Sequence, residues 1–498
     1  MIKSSIRIHE NDNVAVLIKD GTKGEEITVG DLSVTLTENI PAGHKAALRD
    51  IADQENIVKY GNPIGRATEP VQKGSWLHSH NVKTNLSGTL DYTYVPKVSQ
   101  IESAKESLTF QGYKRPNGEV GIRNEIWIIN TVGCINKSAE LLASMANKEL
   151  SENDEVDGVF HFPHPFGCSQ LGDDLTNTQQ VLSSLVHHPN AAGVLVMGLG
   201  CENNTISSFN EVLGEKANGK VLYLGAQDVE DEIEEGLNRI NELVEFANKF
   251  KREPIPLSEL KIGLKCGGSD GFSGITANPL VGSFSNRLIS HGGTTILTEV
   301  PEMFGAEKLL MERAENESVF HNTVKLVNDF KEYFLGYDQP VYENPSPGNK
   351  DGGITTLEEK SLGCVQKGGS APVVDVLDYA QRVKKKGLNL LQGPGNDMVS
   401  VTNLSAAGAH MVLFTTGRGT PFGGPVPTVK ISTNTKLAEK KKRWIDFNAG
   451  PFVEGTPLEE LTDSLLDSII EWASGTKKTR NEDYNFKEIA IFKDGVIL

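Results

Sequence analysis

The stretch GVLVMGLGCENN, residues 193–204, runs from apolar residues through glycines to a cysteine. Apolar residues without polar alternation are typical of a strand buried on both faces, as in a parallel sheet covered by helices. The glycines and the polar residues after them stop such a strand. We therefore predict a buried parallel strand here, with Cys201 at its carboxyl end.

The same arrangement occurs at three other places in the chain. The stretch IWIINTVGC ends at Cys134, GVFHFPHPFGC ends at Cys168, and LKIGLKC ends at Cys266. Ligands of open α/β sheets bind at the carboxyl ends of the strands, so these four thiols are expected where a ligand binds. Cysteine is also a common small buried residue, and that alternative stays open.

Metal binding is the chemistry that such thiols suit. Thiolates prefer soft or borderline metals such as iron, or an iron–sulfur cluster. No pair of cysteines has the CxxC spacing, which disfavours a closed zinc site. The fifth cysteine, Cys364, also follows a glycine but lies in the more polar stretch KSLGCVQKGG.

The order of predicted strands and helices along the chain indicates an α/β fold preceded by a small N-terminal β domain. Short β-branched segments separated by turn signals fill the first part of the chain, and strands then alternate with glycine-bounded loops and helices. Such alternation is typical of parallel sheets covered on both faces. We predict a β domain (residues 1–98), a linker (99–117) and two α/β catalytic subdomains (118–254 and 255–498). A Rossmann-like form of the two subdomains is an open alternative.

Composition and charge disfavour several classes of function. The net charge of −17 argues against nucleic-acid binding, which needs clustered lysine and arginine. No apolar run approaches the roughly 20 residues of a membrane span, and the first residues carry no export signal. Five cysteines in 498 residues are too few for a disulfide scaffold. We expect a cytoplasmic protein with no nucleic-acid or membrane partner.

Two pairs of side chains in the β domain are candidates for chemistry. His78 and His80 are two residues apart, so on a strand both imidazoles would face the same way and could share one cation. Two surface histidines are the alternative. His44 and Lys45 follow a Pro-Ala-Gly turn and are a candidate acid–base pair.

Glycine-rich loops in the last region of the chain suit an anion. The stretches CGGSDGFSG, residues 266–274, and TTGRG, residues 415–419, expose backbone N–H groups that can hold one. Arg418 adds a guanidinium suited to a carboxylate. The sequence has neither a Walker loop nor a GxGxxG motif after its first strand, which disfavours a nucleotide.

A series of long motifs spans the whole chain: GHKAAL, HSHNVKTNL, GIRNEIWIINTVGC, FGCSQLGDD, GLGCENN, CGGSDGFSGITANP, TEVPEMFGAE, ENPSPGNKDGGITTLEEKSLGC and FTTGRGTPFGG. In this order they resemble the altronate dehydratase family of sugar-acid dehydratases, which also contains galactarate dehydratases. The resemblance implies an N-terminal SAF-type β-clip domain joined to a large α/β catalytic region. It also implies loss of water from D-altronate to give 2-dehydro-3-deoxy-D-gluconate, with iron(II), Fe²⁺, as the usual metal and manganese(II) or another divalent cation as alternatives.

That reaction suggests roles for the candidate residues. A divalent metal stabilises the enediolate, a base removes the C2 proton, and an acid protonates the departing C3 hydroxyl. We expect the β domain to cap the sheet, so that His78 and His80 reach the metal and His44 and Lys45 form the acid–base pair. The thiols expected to complete the metal site or line the pocket are Cys134, Cys168 and Cys201. The residues expected to hold the polyol and carboxylate are Asn85, Ser269, Asp270 and Arg418.

Three alternatives stay open at this point. In the first alternative, the substrate is a related acid such as galactarate. In the second, three cysteines hold a [4Fe–4S] cluster that catalyses the same reaction. In the third alternative the chain binds sugar acids without catalysis. A small sugar acid is the expected partner, and self-association is expected, with a homodimer as its simplest form.

Overall fold

Within residues 4–214 and 219–496, which the computed structural model describes, the chain begins with a domain of short antiparallel strands. They are β1 (Ser5–Ile6), β2 (Val14–Leu17), β3 (Glu26–Val29), β4 (Leu32–Thr35), β5 (Lys45–Ala47), β6 (Asn56–Lys59), β7 (Asn62–Ala67), β8 (Trp76–Leu77) and β9 (Val82–Lys83). Their sheets have the orders β1-β2-β5-β8, β3-β4 and β6-β7-β9. The small β domain predicted at the N-terminus is confirmed.

The middle region contains a parallel sheet. The strands of the whole region are β10 (Thr109–Lys114), β11 (Val120–Gly121), β12 (Glu125–Asn130), β13 (Gly158–His161), β14 (Ala191–Gly198), β15 (Val221–Gly225) and β16 (Glu253–Pro256), of which β10, β11 and β16 form a separate antiparallel sheet. The parallel sheet has the order β13-β12-β14-β15. Every residue of β14 is buried, as predicted for the stretch quoted first. Strand β10 lies inside the predicted linker and pairs with β11 and β16.

The last region contains a larger, seven-stranded parallel sheet. Its strands are β17 (Lys261–Cys266), β18 (Thr294–Leu297), β19 (Val373–Leu377), β20 (Gly387–Leu391), β21 (Met411–Thr416), β22 (Thr428–Ser432) and β23 (Phe447–Asn448). They lie in the order β19-β20-β18-β17-β21-β22-β23. The predicted α/β class, with a β domain followed by a large parallel-sheet region, is confirmed. The Rossmann-like form of the two subdomains stays a prediction.

Helices connect and cover the parallel strands. They are α1 (Asn136–Glu149), α2 (Gly172–Val186), α3 (Ile206–Leu213), α4 (Glu232–Ala247), α5 (Ala277–Ser290), α6 (Glu307–Met311), α7 (Glu317–Gly336), α8 (Pro347–Asp351), α9 (Leu357–Cys364), α10 (Asp397–Ala406), α11 (Thr435–Lys440), α12 (Pro451–Glu454), α13 (Leu458–Ala473) and α14 (Arg480–Asp483). Side-chain caps start several of them, for example Asp231 at α4, because the first N–H groups of a helix lack partners. No helix in the described part of the chain is long and apolar enough to cross a membrane.

The β domain is packed onto the last region rather than tethered to it. Buried residues of the β domain such as Ile57 and Ile64 belong to the same apolar cluster as Leu264 on β17 and Leu357 on α9. Removing such surface from water contributes roughly 25 cal/mol per Å². The shared core therefore fixes where the β domain lies against the seven-stranded sheet.

A buried ion pair joins the start of the middle region to the C-terminal helices. Arg123 lies just before β12, and its Nε donates to Glu482 Oε1 at 2.6 Å while its Nη2 donates to Oε2 at 3.0 Å. Burial alone would raise the pKa of Glu482, but the Arg123 guanidinium outweighs burial and holds that pKa at about 2. Such a two-bond contact between guanidinium and carboxylate is among the stronger ion pairs.

This pair predicts a pH-dependent stability. A carboxyl whose pKa is lowered on folding stabilises the protein above its unfolded pKa and loses that contribution as the pH falls through its folded pKa. A lowering to about 2 corresponds to about 3 kcal/mol. We expect the difference in unfolding free energy between wild type and Glu482→Gln, measured by urea denaturation, to be large at neutral pH and to fall to less than about half of that value at about pH 3. An equal difference at both pH values would contradict this role of the pair.

Candidate active site

The larger sheet has a point at which the strand order reverses. From β17 the chain passes through α5 to the neighbouring strand β18, and it later passes through α10 to β21 on the other side of β17. Ligands of open α/β sheets bind outside the carboxyl ends of the strands at such a point. Cys266 is the last residue of β17, and Gly267 N donates to Thr415 O at 2.9 Å. Cys266 therefore lies at the expected ligand position.

A pocket of about 500 Å³ opens at this point. Its lining is polar and comes from the loops that follow β17, β18 and β20, from the segment around α8, and from α9. The side chains that matter below are Cys266, Glu302, Asn349, Lys360 and Asp397. Pockets of this size hold small-molecule ligands, and the mixture of cations, carboxylates and amides suits a polar, anionic one.

Three buried donors meet on the floor of this pocket. The sulfurs of Cys266 and Cys364 and a carboxylate oxygen of Glu302 all lie within 4.8 Å of one another. In the described part of the chain they are the one such group of three or more histidine, cysteine or acidic side chains. Two thiols and a carboxylate suit a borderline divalent ion such as iron(II) or zinc. Cys266 and Glu302 also line the pocket, so the trio faces the space for a ligand.

Lysines surround the trio. Lys360 Nζ donates to Glu302 Oε1 at 2.9 Å and to Asn344 Oδ1 at 3.0 Å. Lys367 Nζ donates to Cys364 Sγ at 2.7 Å. Burial alone would raise the pKa of Glu302, but the Lys360 ammonium outweighs burial and holds that pKa at about 2. Glu302 is therefore an anion at neutral pH.

The two thiols of the trio shift each other's pKa in opposite directions. Their mutual hydrogen bond lowers the pKa of Cys266 well below its usual value and raises that of Cys364. The nearby Lys367 ammonium favours a thiolate at either position. The lowered pKa favours the thiolate form of Cys266, which is the form that binds a metal.

A second carboxylate holds the cations in place. Glu299 accepts from Lys265, from Lys367 at 3.2 Å and from the backbone N–H of Cys266 at 3.0 Å. Its φ of 71° lies in the left-handed region, which costs a residue other than glycine of order 1–3 kcal/mol and persists where surrounding contacts impose it. Lys265 also pairs with Asp397 at 3.0 Å. These contacts join β17 to the start of α10.

The predicted acid–base pair lies next to this site but does not line the pocket. His44 Nδ1 accepts from the Trp76 indole N–H at 3.2 Å, and its Nε2 lies 3.3 Å from the carbonyl oxygen of Asp351, at the end of α8. Lys45 is fully buried and donates to both carboxylate oxygens of Glu359. Burial lowers the pKa of Lys45 to about 8. Both side chains thus connect the β domain to the segment that carries α8 and α9.

The predicted histidine pair is not on a strand, because β8 ends at Leu77. His78 stacks on Trp76 with ring centroids 5.4 Å apart, and the exposed His80 meets the same indole edge-on. Burial, then the Lys45 ammonium, lowers the pKa of His78 to about 4. His78 Nδ1 is buried and has no hydrogen-bond partner among the described residues. Within those residues, neither imidazole belongs to a group of three metal donors.

We expect His80→Ala to leave the iron content of the purified protein unchanged. Its imidazole is exposed and is not one of three metal donors that meet within the described residues. Cys364→Ala is the matched comparison, because Cys364 is one of the three donors, and it is expected to lower the iron content. Elemental analysis after loading with iron(II) checks both. Equal iron loss in the two variants would return His80 to the metal site.

The predicted substrate residues are spread over several environments. Ser269 Oγ lies 2.6 Å from Cys266 Sγ. Asp270 is buried and its carboxylate accepts from Ser273 and Thr433, so it braces the loop after β17. Arg418 is exposed and its backbone N–H donates to Gly268 O, at the edge of the pocket. Asn85 is exposed in the β domain. Of the four, Ser269 and Arg418 lie next to groups that line the pocket.

The remaining predicted metal ligands belong to the other sheet. Cys134, Cys168 and Cys201 follow β12, β13 and β14 and all three are exposed. They are not part of the trio below the pocket. In contrast, Glu302, Lys360 and Lys367 were not predicted. All three lie in motifs of the family resemblance, TEVPEMFGAE and TTLEEKSLGC with the residues just after it, but a charged residue in a sequence is normally expected at the surface.

Known protein families match the chain in three consecutive parts. The altronate/galactarate dehydratase SAF domain matches residues 3–85, the second domain of D-galactarate dehydratase/altronate hydrolase matches residues 112–248, and the C-terminal domain of D-galactarate/altronate dehydratase matches residues 257–497. This chain belongs to the altronate/galactarate dehydratase family. The predicted SAF-type N-terminal domain and the predicted hydro-lyase class are thereby confirmed.

Full-length relatives place the chain more closely within the altronate/galactarate dehydratases. It is 53% identical to the altronate dehydratase of Escherichia coli K12 over 99% of both chains. It is also 53% identical to the altronate dehydratase of Bacillus subtilis 168 over the whole of both chains. Identity to the galactarate dehydratase (L-threo-forming) of Escherichia coli K12 is 34%, over 98% of this chain and 96% of that one.

Proposed function

We propose that this chain removes water from D-altronate to give 2-dehydro-3-deoxy-D-gluconate, with a divalent metal, iron(II) in the first place. The meeting of Cys266, Glu302 and Cys364 at the switch point of the larger sheet, beneath a polar pocket, carries the proposal. The higher identity to altronate dehydratases than to a galactarate dehydratase supports the substrate. The predicted cytoplasmic location and homodimer stay predictions.

The donor trio fits the metal that the reaction needs. The two thiols and the carboxylate lie close enough to share one ion, and all three are buried, which excludes water from the rear of the site. A divalent ion held there supplies Lewis-acid stabilisation of the negative charge that develops on the substrate carboxylate. Manganese(II) is a weaker match, because thiolates favour softer ions.

The surrounding residues bind the substrate and move its proton. Burial opposes the charge on Lys360, but Glu302 outweighs burial and raises the pKa of Lys360, so its ammonium stays positive and attracts the substrate carboxylate. Asn349, on α8, lines the same pocket, and its amide holds the pocket wall in place: Nδ2 donates to Ser269 O at 2.8 Å and Oδ1 accepts from Ser346 Oγ at 2.8 Å. The carboxylate of Asp397 also lines the pocket, and we assign it the role of base for the C2 proton. Its ion pair with Lys265 fixes its position.

The experiment is a product assay on anaerobically purified protein. D-altronate, galactarate and a further six-carbon aldonic acid are supplied with and without iron(II), and 2-keto-3-deoxy acid is measured. We expect keto acid from D-altronate, formed faster than from galactarate and dependent on added metal. Saturable binding of these acids with no keto acid under any metal condition would overturn the proposal in favour of a binding protein.

A further inference from the structure

The smaller parallel sheet has its own point of strand-order reversal. From β12 the chain passes through α1 to β13 on one side, and then through α2 to β14 on the other side. A ligand is therefore expected outside the carboxyl ends of β12 and β14. Cys134 and Cys201 follow these two ends, and Cys168 follows the end of β13. The proposed dehydration uses none of these three thiols.

Backbone contacts bring the three cysteine-bearing loops together. Gly133 N donates to Phe166 O at 2.8 Å, which joins the loop of Cys134 to that of Cys168. Ser169 N donates to the Asn203 side chain at 2.7 Å, which joins the loop of Cys168 to that of Cys201. A Cβ atom on Gly167 would lie 2.0 Å from the carbonyl oxygen of Thr131, so only glycine allows the loops to approach so closely. The three exposed thiols therefore share one sheet edge.

Glu202 and Gln170 are two other polar side chains at this edge. The first is hydrogen-bonded within the protein, and the second has an amide N–H group without a partner in the part of the chain that the structure describes. The carboxylate of Glu202 accepts from Thr131 and from the backbone N–H groups of Leu199 and Gly200, so it stabilises its own loop. Gln170 is 2% exposed. Its Oε1 accepts from Gly167 N next to Cys168, and its Nε2 is buried with no partner among the described residues. A buried amide donor beside a thiol is a group that hydrogen-bonds sulfur in iron–sulfur sites.

The spacing of the thiols argues against a single shared ion. One tetrahedral ion with metal–sulfur bonds of about 2.3 Å draws its sulfur ligands to within roughly 4 Å of one another. In the described part of the chain these three sulfurs do not form a group within 4.8 Å. An iron–sulfur cluster holds its thiolates farther apart, because each binds a different iron.

We propose that Cys134, Cys168 and Cys201 hold a [4Fe–4S] cluster at the switch point of the smaller sheet. Each thiol gives up its proton when it binds iron, and one iron is left without a protein thiolate. The cluster is additional to the divalent ion below the pocket and does not depend on the proposed substrate. The unpartnered Nε2 of Gln170 would donate to a sulfide of the cluster, and Gln227 Nε2 already donates to Cys201 Sγ at 3.7 Å.

The test is anaerobic reconstitution of the full chain with equal amounts of iron(II) and iron(III) and with sulfide, followed by desalting; the mixed iron supplies the oxidation level of the cluster without a further oxidant. We expect a brown protein with broad visible absorption and about four irons and four sulfides per chain in the cluster. Cys168→Ser and Cys201→Ser are expected to lose the colour and the sulfide. Because both thiols are exposed, these variants should fold, which circular dichroism and thermal melting check. Cys364→Ser is the matched control and keeps the colour, because its sulfur belongs to the other site.

Three outcomes would overturn the cluster. A colourless protein that takes up iron but no sulfide places all bound iron at the trio, as does iron uptake that Cys364→Ser abolishes and Cys168→Ser leaves intact. Colour that persists in folded Cys168→Ser and Cys201→Ser would assign the cluster to other residues. None of these results tests the dehydration, since the keto-acid assay reports on that separately.

Discussion

Glu302→Gln is expected to lower kcat for D-altronate dehydration by about 10²–10³-fold and to reduce bound iron. Glutamine keeps the size of the side chain but removes the one buried negative charge that contacts both Lys360, at 2.9 Å, and Cys364, at 3.2 Å. Without it, the Lys360 ammonium loses its counter-charge and repels a divalent ion. Steady-state kinetics with saturating iron(II) and elemental analysis of the purified variant measure the two effects.

Glu307→Gln is the matched control for Glu302→Gln. Glu307 is also buried and also pairs with a buried lysine, Lys331, at 2.8 Å, but it does not line the pocket. It is expected to lower stability while keeping iron content and kcat near those of the wild type. If both variants lose activity in proportion to their loss of stability, Glu302 has a structural role and the trio is not the metal site.

The cysteines at the strand ends show what the sequence could predict. A strand made only of apolar residues is stable when both of its faces are buried, as in a parallel sheet, and a glycine marks where it ends. The positions of Cys201 after β14 and of Cys266 at the end of β17 could therefore be predicted from the local pattern. The fold class followed in the same way. These predictions needed no knowledge of which segments meet.

The donor trio of Cys266, Glu302 and Cys364 could not be predicted in this way. Glu302 and Cys364 are 62 residues apart, and their contact depends on how α9 packs against the sheet. The lysines around them are buried, which runs against the usual surface position of lysine and gives no local signal. His78 and His80 were paired on the assumption of a strand, whereas β8 ends one residue earlier, at Leu77. Local pattern thus located the sheet edges, and tertiary packing determined which of them carries buried charges.

Glu359→Gln is expected to destabilise the protein by about 3–5 kcal/mol, because removing one partner leaves buried charges without compensation. Glu359 accepts from Lys45 at 2.9 Å and from Lys59 at 2.8 Å, and all three side chains are at most 1% exposed. Burial would raise its pKa, but the two ammonium groups outweigh burial and hold that pKa well below its usual range. Urea denaturation of wild type and variant at neutral pH measures the loss.

Lys45→Met separates this charge effect from loss of packing. It removes one cation and leaves a one-to-one pair of Glu359 with Lys59, so it is expected to cost less than Glu359→Gln. The double variant Lys45→Met/Glu359→Gln is expected to be more stable than Glu359→Gln alone, since only one uncompensated lysine then remains. Because Lys45 lies in the β domain and Glu359 on α9, this coupling also measures how strongly the ion pair holds the β domain against α9. If the losses of unfolding free energy in the two single variants simply added in the double variant, the buried charges of the lysines would not be neutralised by Glu359.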